Sequence, residues 1–268
     1  MHESERHRLI ISAVQAKPVV TVAEMVEMTE SSEATIRRDI ATLHMQKKLR
    51  RVRGGAEAVA PPAFPGLAGR PFSVNQSHYA PQKRAIAKAA VELCEDGDPI
   101  IINGGTTTFQ MVHPLANRRC QVFTNSFPIA EHLLKHSKNT VMLSGGTIYR
   151  EQNIVLSPFD NDVTRNFYAR RMFMGCQGIA PVGIMETDPL IIQAEEKLIG
   201  QTEELVVLAD SSKFAGRSSL ILCPLERVGT VITDDGLEDR HAALLESADV
   251  RLIVAPTRAH EEEMPSAG

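Results

Sequence analysis

Between residues 98 and 256, short unbroken apolar runs recur at intervals: "PIIIN", "QVFTN", "TVMLSGG", "RRMFMG", "ELVVLAD", "VGTVITD" and "VRLIVA". A strand that is apolar at successive positions, rather than at alternate ones, is buried on both faces. Between these runs lie segments with helical periodicity, among them "SFPIAEHLLKH", "AEEKLIGQ" and "LEDRHAALLESA", and "TTTFQMVHPLA" opens a further helix that Pro114 disturbs. Strands of this kind alternating with helices predict an α/β unit over 77–256, a mostly parallel sheet covered on both sides. Ligands of such sheets bind beyond the carboxyl ends of the strands.

Several polar residues fall at those ends. "NGGTTT" holds Asn103, Gly104, Gly105, Thr106, Thr107 and Thr108, a turn whose backbone N–H groups and hydroxyls suit an anion. "ADSSKF" places Asp210 and Lys213 at the same rim, and "TNS" (Thr124, Asn125, Ser126) and "SGG" (with Gly145) are further strand-end turns. "ETDPLIIQAEEK" brings Asp188, Glu195, Glu196 and Lys197; the plain expectation for that helix is a solvated face, for Glu195 above all. A tight turn with a helix cap and an exposed loop lysine are the plain alternatives at "NGGTTT" and Lys213.

The stretch "APPAFPGLAGRPF" carries four prolines and two glycines and excludes a helix or central strand. It predicts a linker over 59–76, separating the α/β unit from a small unit at 1–58; the tail 257–268 is expected to be disordered. Charge divides in the same way. Residues 1–57 hold 10 basic and 8 acidic residues, and the remainder 19 and 25, within a chain of formal net charge −4. A small cationic unit before a larger anionic one suits nucleic-acid binding.

The first unit reads as a winged helix-turn-helix. Leu9, Ile10, Ala13 and Val14 line one side of a helix over 4–16, ended by Lys17-Pro18, and Thr21 caps a second helix through Met28. Ser32 caps a third, in which Ile36, Ile40 and Leu43 form the buried stripe while Thr35, Arg37 and Arg38 lie on other faces. "LRRVRGGAEAV" follows as a hairpin bent at Gly54-Gly55, with Arg51 and Arg53 directed at a phosphate backbone. A basic but merely solvated face is the plain alternative, against which cap, periodicity, hairpin and charge all agree.

"TIRRDIATLHMQKKLRRVRGGA" resembles the signature of the DeoR family of bacterial transcription regulators, with Arg53 where many members have histidine. The resemblance implies that Ser32, Thr35, Arg37 and Arg38 belong to a recognition helix in the major groove of operator DNA, with Arg51 and Arg53 along the wing. The second unit is similar to the family's sensor domain, which has the fold of ribose-5-phosphate isomerase. "GGTTT" matches that enzyme's phosphate loop, "ADSSK" its Asp-x-Ser-Lys segment, and "AEEK" places Glu196 at its catalytic glutamate. Where the isomerase has Asp-Gly-Ala-Asp, this chain has "MGCQ" (Met174–Gln177), and the Lys-Gly-Gly-Gly run is missing. The implied function is repression of a carbohydrate or polyol operon under a phosphorylated sugar, sugar acid or polyol. "ETDPLIIQAEEKLI" and "LVVLADSSK" are most similar to the subgroup governing L-ascorbate utilisation. The effector would contact residues 103–108, 124–126, Gly145, Gln177, Asp188, Lys197, Asp210 and Lys213.

A homodimer or homotetramer on paired half-sites is expected. The charged start "MHESERHR" and the lack of a membrane-length apolar run predict a cytoplasmic protein without a membrane partner. The four cysteines are scattered without a Cys-x-x-Cys pair and are expected as buried thiols; no metal or cofactor is implied. Two other readings stay open: an isomerase-like enzyme with an accessory DNA-binding unit, and a vestigial pocket in a unit that only oligomerises.

Overall fold

The computed structural model describes residues 2–16, 20–57, 72–150, 152–157, 159, 162–216 and 218–257. It contains two compact units, Met1–Leu67 and Ala68–Gly268. Residues 59–71 of the linker expected over 59–76 and the tail beyond 257 lie outside the described residues, while Phe72–Asn75, within that expected linker, form a short helix.

The first unit runs α1 (Glu3–Ala16), β1 (Val20–Thr21), α2 (Val22–Thr29), α3 (Glu33–Met45), β2 (Arg50–Val52) and β3 (Gly55–Glu57). Thr21 and Glu24 form a capping box at α2: Glu24 N donates to Thr21 Oγ1 at 3.2 Å and Thr21 N to Glu24 Oε2 at 2.8 Å. Ser32 caps α3, accepting from Thr35 N at 3.2 Å. Ile36, Ile40 and Leu43 are buried with Ile10, Val14, Met25 and Leu49 in one core. The wing differs slightly from the sequence expectation. Its turn is at Arg53-Gly54, where Gly54 has φ +84°. Gly55 is already in β3, which pairs antiparallel with both β2 and β1. A Cβ on Gly55 would collide with the Val20 carbonyl.

The second unit opens with α4 (Phe72–Asn75) and α5 (Ala80–Glu92), neither of them among the elements read from the sequence. Then follow β4 (Pro99–Ile102), α6 (Thr106–Phe109), α7 (Val112–Leu115), β5 (Gln121–Thr124), α8 (Phe127–His136) and β6 (Thr140–Leu143). A hairpin of β7 (Thr147–Tyr149) and β8 (Ile154–Leu156) leads to β9 (Ala169–Met174), β10 (Gly178–Ala180), β11 (Gly183–Glu186) and α9 (Pro189–Ile199). The chain closes with β12 (Thr202–Leu208), β13 (Leu220–Cys223), β14 (Thr230–Asp234), α10 (Asp239–Ser247) and β15 (Arg251–Ala255).

Seven strands form one parallel sheet in the order β15-β14-β12-β9-β4-β5-β6. Successive residues feed opposite cores. Ile101, Phe123, Met172, Leu205 and Val231 pack with α9 and α10. Ile100, Val122, Phe173, Val206 and Ile232 pack with α5, α7 and α8. This two-sided burial is what the unbroken apolar runs require. The antiparallel additions, hairpin β7–β8 and the small sheet β10-β11-β13, lie outside that pattern. All four cysteines are free and buried. From β4 the chain moves outward through β5 and β6, then returns to lay β9 on the other side of β4. The strand order therefore reverses between β4 and β9, where a crevice opens at the carboxyl ends.

Candidate functional site

Each unit presents one site. In the first, α3 and the wing border a groove lined by Arg37, His44, Arg51 and Arg53 over Ile40 and Val52. Arg37, Arg38, Arg51 and Arg53 are exposed, and Thr35 is half-buried. Ser32 Oγ lies 2.8 Å from Thr35 Oγ1, which fixes both hydroxyls at the start of α3. Arg37 donates from Nε and Nη2 to Glu33 Oε1, one turn back, at 2.9 and 2.6 Å. Asp39, two residues along, turns inward. It accepts from Arg6 Nη2 at 3.1 Å and lies 3.1 Å from His7 Nε2, tying α1 to α3. Burial alone would raise its carboxyl, but the bonds from Arg6 and His7 outweigh that and hold it below the usual range.

In the second unit a cavity of about 170 Å³ occupies the crevice between β4 and β9. Gly104, Gly105, Thr106 and Thr107 line it from the end of β4, Gln177 from beyond β9, and Asp210 and Lys213 from beyond β12. Gly104 is held from the neighbouring strand, its N donating to Asn125 Oδ1 at 2.8 Å, and a Cβ there would collide with the Ile154 side chain. The Asp210–Lys213 loop is pinned from β14, where Asp234 accepts from Ser211 N at 2.7 Å and Ser211 Oγ at 3.0 Å.

Other expected residues are drawn into the scaffold. Asn103 is buried and donates Nδ2 to Glu195 Oε1 at 2.5 Å. The Thr108 hydroxyl donates to Gly105 O at 3.0 Å, and that of Thr124 to Ile102 O at 2.6 Å. Ser126 caps α8, and Gly145 is exposed in the turn after β6. Asp188 does not face the cavity: it caps α9 through Leu190 N at 2.9 Å, and its other oxygen accepts from Tyr149 OH at 2.8 Å. Lys197 lies at a separate hollow of about 20 Å³, shared with Asn125 and Ser144. Its Nζ donates to the carbonyls of Ser157 (3.2 Å) and Phe159 (2.8 Å).

The family models match both units. A DeoR-like helix-turn-helix domain matches residues 6–61, and a DeoR C terminal sensor domain matches 78–235. The chain belongs to the DeoR family. Across its length, this DeoR-family chain is 32% identical to the HTH-type transcriptional regulator UlaR of Shigella dysenteriae serotype 1, over 94% of this chain and 99% of the relative. The same identity and coverage hold for the UlaR protein of Escherichia coli strain K12 / DH10B. Among solved structures, ribose 5-phosphate isomerase A from Methanocaldococcus jannaschii overlaps 49% of this chain and 53% of its own, at 17% identity and TM-score 0.36. eIF2B delta from Chaetomium thermophilum overlaps 52% and 50%, at 15% identity and TM-score 0.39. The chain is a DNA-binding transcriptional regulator. Among the described residues no helix is long and apolar enough to cross a membrane.

The sensor cavity of this DeoR-family regulator also contains residues that the sequence reading missed. Lys83, on α5, is buried and donates Nζ to Asn75 O at 2.6 Å. Burial pushes its ammonium down to about 8; Asp210 pulls the other way and Lys213 adds to the drop. The acidic side chains of the cavity are Glu186, at the end of β11, Glu195 and Asp210. Glu195 is 3% exposed, against the expectation of a solvated face. Glu196, the position matched to the isomerase glutamate, is exposed. The helical step of 100° decides between these neighbours, and α9 packs so that Ile191, Glu195 and Leu198 face inward. The stripe Ile191–Glu195–Leu198, at steps of four and three, is the signal that was available.

Proposed function

We propose that the protein is a cytoplasmic repressor of a carbohydrate or polyol catabolic operon, released or engaged by a phosphorylated sugar, sugar acid or polyol bound in the β4–β9 cavity. The observation that carries this reading is the meeting of backbone turn and cations there: Gly104–Thr107, Lys213 and Lys83 border one volume. The backbone of that turn offers N–H groups to an anion, and two ammonium groups offset a phosphate's charge. Lys83, lowered to about 8 by burial, gains charge stability when an anion arrives. In the other unit, Arg38, with Thr35 and Arg37, reads bases from α3, and Arg51 and Arg53 contact phosphates from the wing. The protein acts as a homodimer or homotetramer on paired half-sites.

Calorimetry of the full chain with inorganic phosphate, ribose 5-phosphate, glucitol 6-phosphate and 6-phosphogluconate tests the reading. Binding of phosphorylated compounds, with none for the dephosphorylated sugars, supports it. Binding that ignores the phosphate overturns it.

A further inference from the structure

Two acidic side chains of the cavity, Glu186 and Glu195, are left unused by the phosphate-binding reading. Glu186 is partnered locally, accepting from Thr187 N at 2.7 Å and Thr187 Oγ1 at 3.1 Å. Glu195 is not. Its Oε1 accepts from Asn103 Nδ2 at 2.5 Å, while its Oε2 is buried and has no hydrogen-bond partner among the described residues. An unsatisfied buried polar atom costs about 1–3 kcal/mol, and in a native protein such an atom calls for an explanation. Here the orphan oxygen belongs to a residue that lines the β4–β9 cavity.

The surroundings determine which partner it needs. The Glu186 carboxyl acts on Glu195, and the Cys176 and Cys223 thiols feel it. Lys213 acts on Glu186 and Cys176 instead. Burial, reinforced by Glu186 and opposed by the Asn103 bond, pushes the Glu195 carboxyl well above the usual range, which favours the neutral acid. In that neutral acid, Oε1 accepts from Asn103 and the proton belongs on Oε2. The group is then an O–H donor aimed at no acceptor.

We propose that Glu195 donates from Oε2 to an oxygen in the carbohydrate part of the effector, with Asn103 holding the carboxyl in place, so that this pair selects ligands bearing a hydroxyl or carbonyl oxygen beyond the phosphate. This rests on the reading that the cavity takes a phosphorylated carbohydrate, and it assigns the part of the ligand that the phosphate contacts leave unread.

The test is calorimetry on the full chain and on two variants, with inorganic phosphate as the probe lacking a carbohydrate and with ribose 5-phosphate, glucitol 6-phosphate and 6-phosphogluconate as probes that have one. Glu195→Gln keeps a carbonyl for Asn103 and puts an N–H donor where the O–H stood. It should hold the best carbohydrate probe within about threefold of the natural protein. Glu195→Leu should weaken that probe about tenfold or more and leave inorganic phosphate unchanged, which also reports that the cavity is intact. A tenfold loss in Glu195→Gln overturns the donor role, and so does equal loss of phosphate and carbohydrate probes in Glu195→Leu. If Glu195→Leu does not fold, the Gln variant alone decides. Carbohydrate probes that bind the natural protein no better than inorganic phosphate overturn the Glu195 assignment and leave the phosphate site standing. Failure of every probe, phosphate included, overturns the effector reading and this inference with it.

Discussion

Arg37 and Arg38 are adjacent in sequence and occupy different environments. Arg37 is already bonded to Glu33 one turn back, while both remain exposed. An exposed pair of this kind is worth well under about 1 kcal/mol, so DNA can break it, but some of what Arg37 gains on DNA is lost from Glu33. Arg38→Ala should therefore weaken operator binding by about 1–3 kcal/mol and relax sequence preference. Arg51→Ala should weaken all sequences alike and flatten the salt dependence. Fluorescence anisotropy with operator and random duplexes at several salt concentrations separates the two; equal loss on both duplexes in Arg38→Ala would contradict its base-reading role. In the sensor unit, Lys213→Ala should weaken a phosphorylated ligand about tenfold or more, because a charge-assisted hydrogen bond contributes about 1.5–3 kcal/mol. Operator affinity without ligand should not change. Calorimetry and anisotropy on the same preparation check both halves of that statement.

At the scale of elements, the wing and the turn after β4 each depend on a glycine for close approach, not for an unusual dihedral. Gly55 lets β3 lie against β1, and Gly104 lets the turn after β4 pass Ile154. Gly54 differs, because its φ of +84° is a left-handed turn with open space around it. Gly55→Ala should therefore destabilise the first unit by about 1–3 kcal/mol by pushing the wing off Val20. Gly54→Asn, a residue that tolerates left-handed backbone, should cost distinctly less. Thermal denaturation of the two variants compares them; equal stability would show that β3 moves aside without cost. Thr21→Ala, which removes the cap of α2, should cost about 1 kcal/mol by the same measurement.

Over the whole molecule, the two units carry buried carboxyls shifted in opposite directions. Asp39 is held below the usual range by Arg6 and His7, so the unfolded state binds the proton more readily. Its stabilising contribution is complete above the unfolded value of about 4 and is lost as the pH falls through the lower folded value. Glu195 and Glu186 are raised by burial, so in their case the folded state holds the proton. Their effect reverses the sign: stability of the sensor unit declines as the pH rises from about 4.3 toward their folded values. Urea denaturation followed by residue-resolved NMR, across pH about 3 to 8, should show the first unit weakening toward acid and the second favoured by mild acid. Parallel pH profiles would contradict the opposed shifts.

What the sequence determined by itself was most of what depends on near neighbours, with α5 as the local pattern that went unread. Caps at Thr21 and Ser32, the stripe Ile36-Ile40-Leu43 and the unbroken apolar strands are local patterns with one physical solution each. They carried the helix-turn-helix and the parallel sheet, and with them the position of Gly104–Thr107 and Lys213 at strand ends. The cavity's composition was decided elsewhere. Lys83 enters from α5, a helix whose place on the sheet follows from packing between residues far apart in sequence. Asp188 and Lys197 are of types that suit a ligand contact, but Tyr149, Ser157 and Phe159 engage them in hydrogen bonds. Between Glu195 and Glu196 the choice is one residue of helical rotation, set by how α9 seats Ile191 and Leu198 against the core. Residue type is written in the chain; whether a polar side chain is spent on the scaffold or left for a ligand depends on what the folded molecule brings beside it.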